Sequence, residues 1–283
     1  MEFPSVTKAA WLAQVRKDLK GQPLEDLNFS VAGTVQSPFW HPEDLPNPPA
    51  PVYPGRGWKV GEKITITDPA TANAQALAAL RGGANYLYFC HAGPLAPADR
   101  TRVLEEVLTD IIDLRFHDTT QQAFRVYTRA DVAEALLALA EQPQDAAFWL
   151  RPSEDFLETI ATLRAVRLCA NLIYASLELD PSLELGVVIS PAELDVHTAK
   201  IRNPVLALAA VCGGADVLLI EPADGPEGSP FERRIARNIH HLLSEEARLA
   251  AVADPAAGSY YLEALTDAIA TAIWADFQAT LAR

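Results

Sequence analysis

The sequence predicts an α/β protein: a (β/α)8, TIM-barrel-like domain, compact or incomplete, carrying an extended amino-terminal arm. Three observations lead there. From Trp58 onward, short β-rich runs alternate with longer helical patterns, as in βα units wound around a parallel sheet. Two helix-to-strand joins repeat one pattern, Arg81-Gly82-Gly83-Ala84 and Cys212-Gly213-Gly214-Ala215, where glycine suits a left-handed helix stop and a tight αβ turn. Between His41 and Gly57 prolines crowd together (Pro42, Pro46, Pro48, Pro49, Pro51, Pro54), and such a run cannot donate a regular hydrogen-bond ladder. Seven or eight strands favour a barrel over a doubly wound sheet. A barrel takes about 250 residues, more than remain after the arm, so a compact barrel or one lacking a part is expected.

In order, the arm (residues 1–57) opens with a short amphipathic helix, Trp11, Leu12, Val15 and Leu19 recurring at helical spacing, with Ser5 as cap and Gly21 as stop. The proline strap follows. In the barrel (residues 58–283) strands are expected at Lys63 to Thr67, Asn85 to Cys90, Ile111 to Phe116, Ala146 to Leu150, Leu183 to Ile189, Asp216 to Glu221 and Leu249 to Ala253, with another at Phe124 to Thr128. Helices are expected at Ala72 to Arg81, Pro97 to Leu108, Arg129 to Glu141, Glu154 to Ser176, Thr198 to Val211, Phe231 to Glu245 and Leu265 to Leu281. The last shows its apolar stripe in Ile269, Ile273, Trp274, Phe277 and Leu281.

Hydrophobic residues make up 49% of the 283 and charged residues 21%, which suffices for a sizeable core and excludes disordered, collagenous and coiled-coil classes. With 23 Lys and Arg against 37 Asp and Glu, the formal charge is −14, which argues against a global attraction to nucleic acid or anionic membranes. Three cysteines without a CxxC pair suggest neither a disulfide framework nor a cysteine-rich zinc site. The start lacks a signal-peptide pattern and no apolar run reaches about 18 residues, so a cytoplasmic protein is expected.

Barrel enzymes place their chemistry at the carboxyl ends of the strands. That rule selects His91 (with Cys90), His117 (with Asp118), Arg151, Glu221 and Asp254 as barrel-mouth residues. None forms a named motif, and each has an ordinary structural alternative as a helix cap or loop partner. Arg233 and Arg237 share one face early in a helix and could hold an anion such as a phosphate, unless they pair with Asp224, Glu227 or Glu232. His240 and His241 are adjacent on a helix, poor geometry for one metal. Dinucleotide, P-loop, zinc-protease and serine-hydrolase motifs are absent. No residue is thereby assigned a catalytic, cofactor-binding or metal-binding role.

A family resemblance goes further. The string Phe231-Glu232-Arg233-Arg234-Ile235-Ala236-Arg237-Asn238, then Ser244-Glu245-Glu246, then Val252-Ala253-Asp254-Pro255-Ala256-Ala257-Gly258-Ser259-Tyr260-Tyr261-Leu262-Glu263-Ala264-Leu265-Thr266, resembles the closing part of the substrate barrel of the methylmalonyl-CoA mutase family. Lys17-Asp18-Leu19-Lys20-Gly21 resembles the amino-terminal arm of that family's small subunit, and Arg202-Asn203 followed by Cys212-Gly213-Gly214-Ala215-Asp216 fits the same pattern. The resemblance implies a (β/α)8 barrel which, in active members, encloses an acyl-CoA and faces an adenosylcobalamin domain, the cofactor supplying a radical. It also implies heterodimers of a catalytic large subunit with a small one that has lost the site.

The sequence departs from the catalytic pattern. It runs to Arg283, soon after the helix following Tyr261, so no cobalamin-binding domain is expected, and none of its six histidines lies in a DxHxxG sequence. Where active members carry an arginine-, tyrosine- and threonine-rich clamp for CoA, this chain reads Pro54-Gly55-Arg56-Gly57-Trp58. Tyr86, Tyr88, His91 and His117 lack the context of the family's substrate-facing tyrosine and histidine. The expectation is a noncatalytic, small-subunit-like partner that binds no cofactor by itself, in a homodimer or in a heterodimer with a mutase large or cobalamin-binding subunit that supplies adenosylcobalamin. The alternatives are a substrate barrel that takes acyl-CoA and is completed by a separate cobalamin subunit, and a homodimeric or ligand-sensing barrel.

Overall fold

The structure is a computed structural model that describes residues 4–282 apart from Pro48, Pro54, Arg56, residues 121–124, Asp145 and residues 192–193. Two of the strap prolines, the single arginine of the expected clamp segment and the first residue of the optional strand at Phe124 therefore lie outside the described residues.

The arm begins with α1 (Lys8–Asp18), capped by Thr7, whose hydroxyl accepts from the Ala10 N–H at 3.2 Å; Ser5 is not the cap. No residue of α1 is buried: its apolar stripe faces the arm, with Trp11 edge-on to Phe39 at 5.5 Å. A small antiparallel hairpin follows, β1 (Phe29–Val31) and β2 (Thr34–Gln36), turned by Ala32 and Gly33 at φ 53° and 79°. Two successive left-handed residues match the right-handed twist of the flanking strands.

The barrel wall comprises β3 (Lys59–Thr65), β4 (Tyr86–His91), β5 (Asp113–Asp118), β6 (Ala147–Leu150), β7 (Glu184–Ile189) and β8 (Val217–Ile220), all parallel, in the order β5-β4-β3-β8-β7-β6. Apart from the β3–β8 junction, neighbours in this order are consecutive in the chain, as in a barrel and unlike a doubly wound sheet with its switch point. Tyr127, in the expected optional strand, makes an isolated parallel bridge to Leu150, adding one residue of wall beside β6. Among the described residues the wall remains open between there and β5, so the fold is an incomplete TIM-like barrel.

The run expected as a strand at Leu249 to Ala253 is not one. Leu249–Ala251 form a 3-10 turn entered through Arg248 at φ 58°. The reason is pairing: β3 already hydrogen-bonds β8 from Lys59↔Val217 to Gly61↔Leu219, so no strand fits between them. Residues 252–254 instead pack under the strap, where Gly55 lies so close to Ala253 that a Cβ would overlap its backbone.

The helices are α2 (Pro69–Arg81), α3 (Pro97–Val103), α4 (Val132–Glu141), α5 (Phe156–Ser176), α6 (Val196–Cys212), α7 (Pro230–His241) and α8 (Tyr260–Leu281). Two differ most from expectation: α3 stops at Val103, and Glu106 just beyond takes φ 61°, while α8 starts at Tyr260 rather than Leu265. The main core lies between the outward face of β6, β7 and β8 and helices α4, α5, α6 and α8, with Leu150, Leu185, Val187 and Leu218 against Ile160, Ala170, Ile173 and Ile269. A second core packs Ile64, Leu87 and Phe89 on α2. Among the described residues no helix is long and apolar enough to cross a membrane.

Candidate functional site

Side chains alternate across a strand, so one residue in two along the wall faces the axis, where a barrel of this kind would carry a ligand. Those residues fill it beside β3, β8 and β7, while toward the open side a cavity of about 380 Å³ borders Tyr86, Tyr88, Arg115, His117 and Trp149. At the amino-terminal end Lys59 Nζ lies between Asp113 Oδ2 (2.9 Å) and Glu184 Oε2 (3.1 Å), while the Tyr86 hydroxyl donates to Glu184 Oε1 at 2.9 Å. Above them Trp149 of β6 meets Tyr86 and Tyr88 of β4 edge-on, ring centroids 6.0 and 5.3 Å apart, packed with Val188, Val217 and Leu219. Strands β4 and β6 are not sheet neighbours, so these contacts run across the axis.

Glycine makes the aromatic packing possible. A Cβ at Gly186 would overlap the Trp149 indole, and one at Gly61 would meet Leu219 Cδ2 at 2.5 Å. At the carboxyl end Lys63 Nζ and Glu221 Oε1, 2.9 Å apart, join the neighbouring ends of β3 and β8. Burial pushes up the Tyr86 phenol, helped by Glu184, and the Tyr88 phenol, helped by Cys90, so both stay protonated. The Cys90 thiol is likewise raised by burial, the wrong direction for a nucleophile.

The sequence-derived mouth residues separate into three places. His91 ends β4, its Nδ1 2.7 Å from the Gly93 carbonyl oxygen, and Asp118 ends β5, accepting from the Gly93 N–H and from Thr120. Hydrogen bonds from the Thr120 hydroxyl and N–H hold the Asp118 carboxyl below its usual range. His117 tilts against Tyr88, ring centroids 6.0 Å apart. Glu221 is buried in the pair with Lys63. Asp254 is elsewhere, because the run before it is not a strand: it is buried between α5 and the strap. Its Oδ2 accepts from Arg164 Nε and Nη2 (3.2 and 3.1 Å) and from the Val52 N–H (2.9 Å).

Arg233 and Arg237, the possible anion site, both bind Glu62. Arg233 Nη1 donates to Glu62 Oε1 at 3.2 Å and Arg237 Nη1 to Oε2, and Arg233 also donates to the carbonyls of Pro226, Glu227 and Gly228. Their partner is thus a strand carboxylate rather than the nearby Asp224, Glu227 or Glu232. Trp58 Nε1 donates to His240 Nδ1 at 3.1 Å, and burial, with His241 and Arg237 adding to it, pulls His240 down to about 3. No group of three or more His, Cys, Asp or Glu among the described residues is placed to hold a metal.

Sequence reasoning missed the residues that matter most here. Glu62 carried one signal, a carboxylate between Val60 and Ile64 on a strand face that should be apolar. Arg164 carried a similar one, a charge on the buried stripe of α5. It is fully buried and bonds Asp254, Glu263 (2.8 Å) and Thr266 (2.9 Å), tying α5, α8 and the strap together. Gly186 and Trp149 left no local signal, because their contact joins two different strands.

Comparison with known proteins adds the family. The family model described as "Methylmalonyl-CoA mutase" matches residues 122–282. The "Methylmalonyl-CoA mutase small subunit" of Streptomyces virginiae is 41% identical over 133 residues, 44% of this chain and 21% of that protein. The "Probable methylmalonyl-CoA mutase small subunit" of Mycobacterium tuberculosis is 36% identical over 166 residues, 54% of this chain and 27% of that protein. The "Methylmalonyl-CoA mutase" of Escherichia coli is 37% identical over 132 residues, 44% of this chain and 18% of that protein. The chain spans about a quarter of the length of the relatives it matches, 27% in the Mycobacterium tuberculosis protein. Since the family model covers more than half of the chain, the chain belongs to the methylmalonyl-CoA mutase family.

Proposed function

We propose that this chain is a noncatalytic, small-subunit-like partner of an adenosylcobalamin-dependent acyl-CoA mutase, and that it associates with a subunit carrying the substrate and cofactor sites. One observation carries the reading: Trp149 meets Tyr86 and Tyr88 across the axis, packed with Val217 and Leu219, so that aromatic rings obstruct the path a threaded ligand would take. A thioester threaded along that axis would have to displace the Trp149 indole that Gly186 admits and the Leu219 side chain that Gly61 admits.

The cofactor does not fit this part of the protein. A corrin is wider than the rings that meet inside the barrel, and three of the histidines are engaged: His91 with Gly93, His241 with the Gly82 carbonyl at 2.9 Å, His240 with Trp58. His197 is exposed at the first turn of α6, against the Asp195 cap. No step through the cofactor is derived for these residues, and its chemistry is assigned to the partner. The similarity to proteins named as small subunits supports the same assignment.

Size-exclusion chromatography with light scattering tests it. Mixed with a large mutase subunit, the chain is expected to elute as a complex of defined stoichiometry, and mutase turnover is expected to require the large subunit alone for chemistry. Acyl-CoA turnover by this chain with cobalamin and no large subunit would overturn the reading.

A further inference from the structure

A cavity of about 300 Å³ lies at the carboxyl end of β6 and β7, between the wall and α5. Its lining includes Leu150 and Val187, which alternate with the axis-facing Trp149 and Gly186, so it lies on the outer side of the wall and is separate from the barrel axis. We propose that this cavity is a binding site for a short-chain aliphatic carboxylate.

Three features specify that chemistry. The floor is apolar, Leu150, Leu163 and Val187, and the volume is several times what one water needs. Thr162 also lines it, 8% exposed, with its Oγ1 buried and without a hydrogen-bond partner among the described residues, so a turn about χ1 would bring the hydroxyl to a ligand. An unpaired buried hydroxyl is unfavourable, and turning toward a bound carboxylate would pair it. At the rim stands Arg151, exposed and in no ion pair among the described residues. The other charges on the lining cancel: Arg129 Nε is 3.1 Å from Glu158 Oε1, and the Ser153 hydroxyl holds Glu158 Oε2 at 2.9 Å. The site therefore carries one uncompensated positive charge over an apolar floor. A monoanion with a short alkyl chain matches both, whereas a phosphate would place a second negative charge and no apolar surface there.

The test is NMR titration of the full chain with sodium butyrate, with butyramide as the uncharged control and inorganic phosphate as the anion control. Butyrate is expected to give saturable amide shifts centred on Arg151, Thr162 and Val187, with butyramide and phosphate each at least about tenfold weaker. Arg151→Gln, at an exposed position, is expected to reduce butyrate binding to the level of butyramide. Thr162→Val is expected to weaken butyrate severalfold while leaving the ligand-free protein at least as thermally stable as before, since the hydroxyl it removes is buried without a partner among the described residues. Shifts that do not saturate, that are equal for all three probes, or that neither substitution changes would overturn the assignment.

Discussion

Gly186 shows at the scale of one residue how a missing side chain sets the character of the barrel. Its φ is ordinary; what it provides is room for the Trp149 indole. Gly186→Ala is expected to lose about 1–3 kcal/mol by overpacking, and Trp149→Leu in the same chain should recover part of that loss, read as nonadditivity in urea unfolding. Arg164 is the opposite case, a buried cation shared by Asp254 and Glu263. Arg164→Met leaves two buried carboxylates without their cation and should cost about 3–5 kcal/mol; a loss under about 1 kcal/mol would mean that water replaces the guanidinium. His240 gives stability a pH dependence. Its folded value of about 3 lies below the usual 6.5, so the unfolded chain takes up a proton that the folded chain refuses. Its contribution is fully present above the ordinary histidine value and is lost progressively as pH falls toward about 3. Urea midpoints should therefore decline less steeply below pH ~6.5 in His240→Leu than in the parent protein.

Between elements, the arm divides into a part the barrel uses and a part it does not. Helix α1 buries nothing, whereas the Tyr53 hydroxyl donates to the carbonyls of Val211 and Cys212 (3.2 and 3.1 Å), at the end of α6. Removal of residues 1–21 should shift unfolding stability by no more than about 0.5 kcal/mol, while Tyr53→Phe should cost about 0.5–1.5 kcal/mol. Equal losses would place α1 in the folded core. The sequence made the βα alternation and most helices readable because hydrophobic period and Gly-Gly-Ala joins are local signals. The eighth strand was misread for a nonlocal reason: Val252 and its neighbours have strand character, but the edge of β3 was already paired with β8. The hairpin of β1 and β2 escaped notice because its turn uses Ala32 rather than an Asn or Asp at the first left-handed position.

Across the whole molecule, a parallel wall curls until side chains of β4 and β6 touch across the axis, and large aromatics obstruct the space a ligand-binding barrel keeps open. The family was legible in the strings around Arg233 and Asp254, although in this structure Arg233, Arg237 and Asp254 serve packing and charge pairing inside the fold. That contrast explains why the fold was readable and the candidate site was not. Family strings report a common ancestry of the wall, but whether its axis is open depends on which side chains meet from strands far apart in sequence, as Tyr88 and Trp149 do. Isothermal titration of the full chain with methylmalonyl-CoA measures the consequence directly. A packed axis predicts no binding heat, and a saturable complex at micromolar concentration would contradict it.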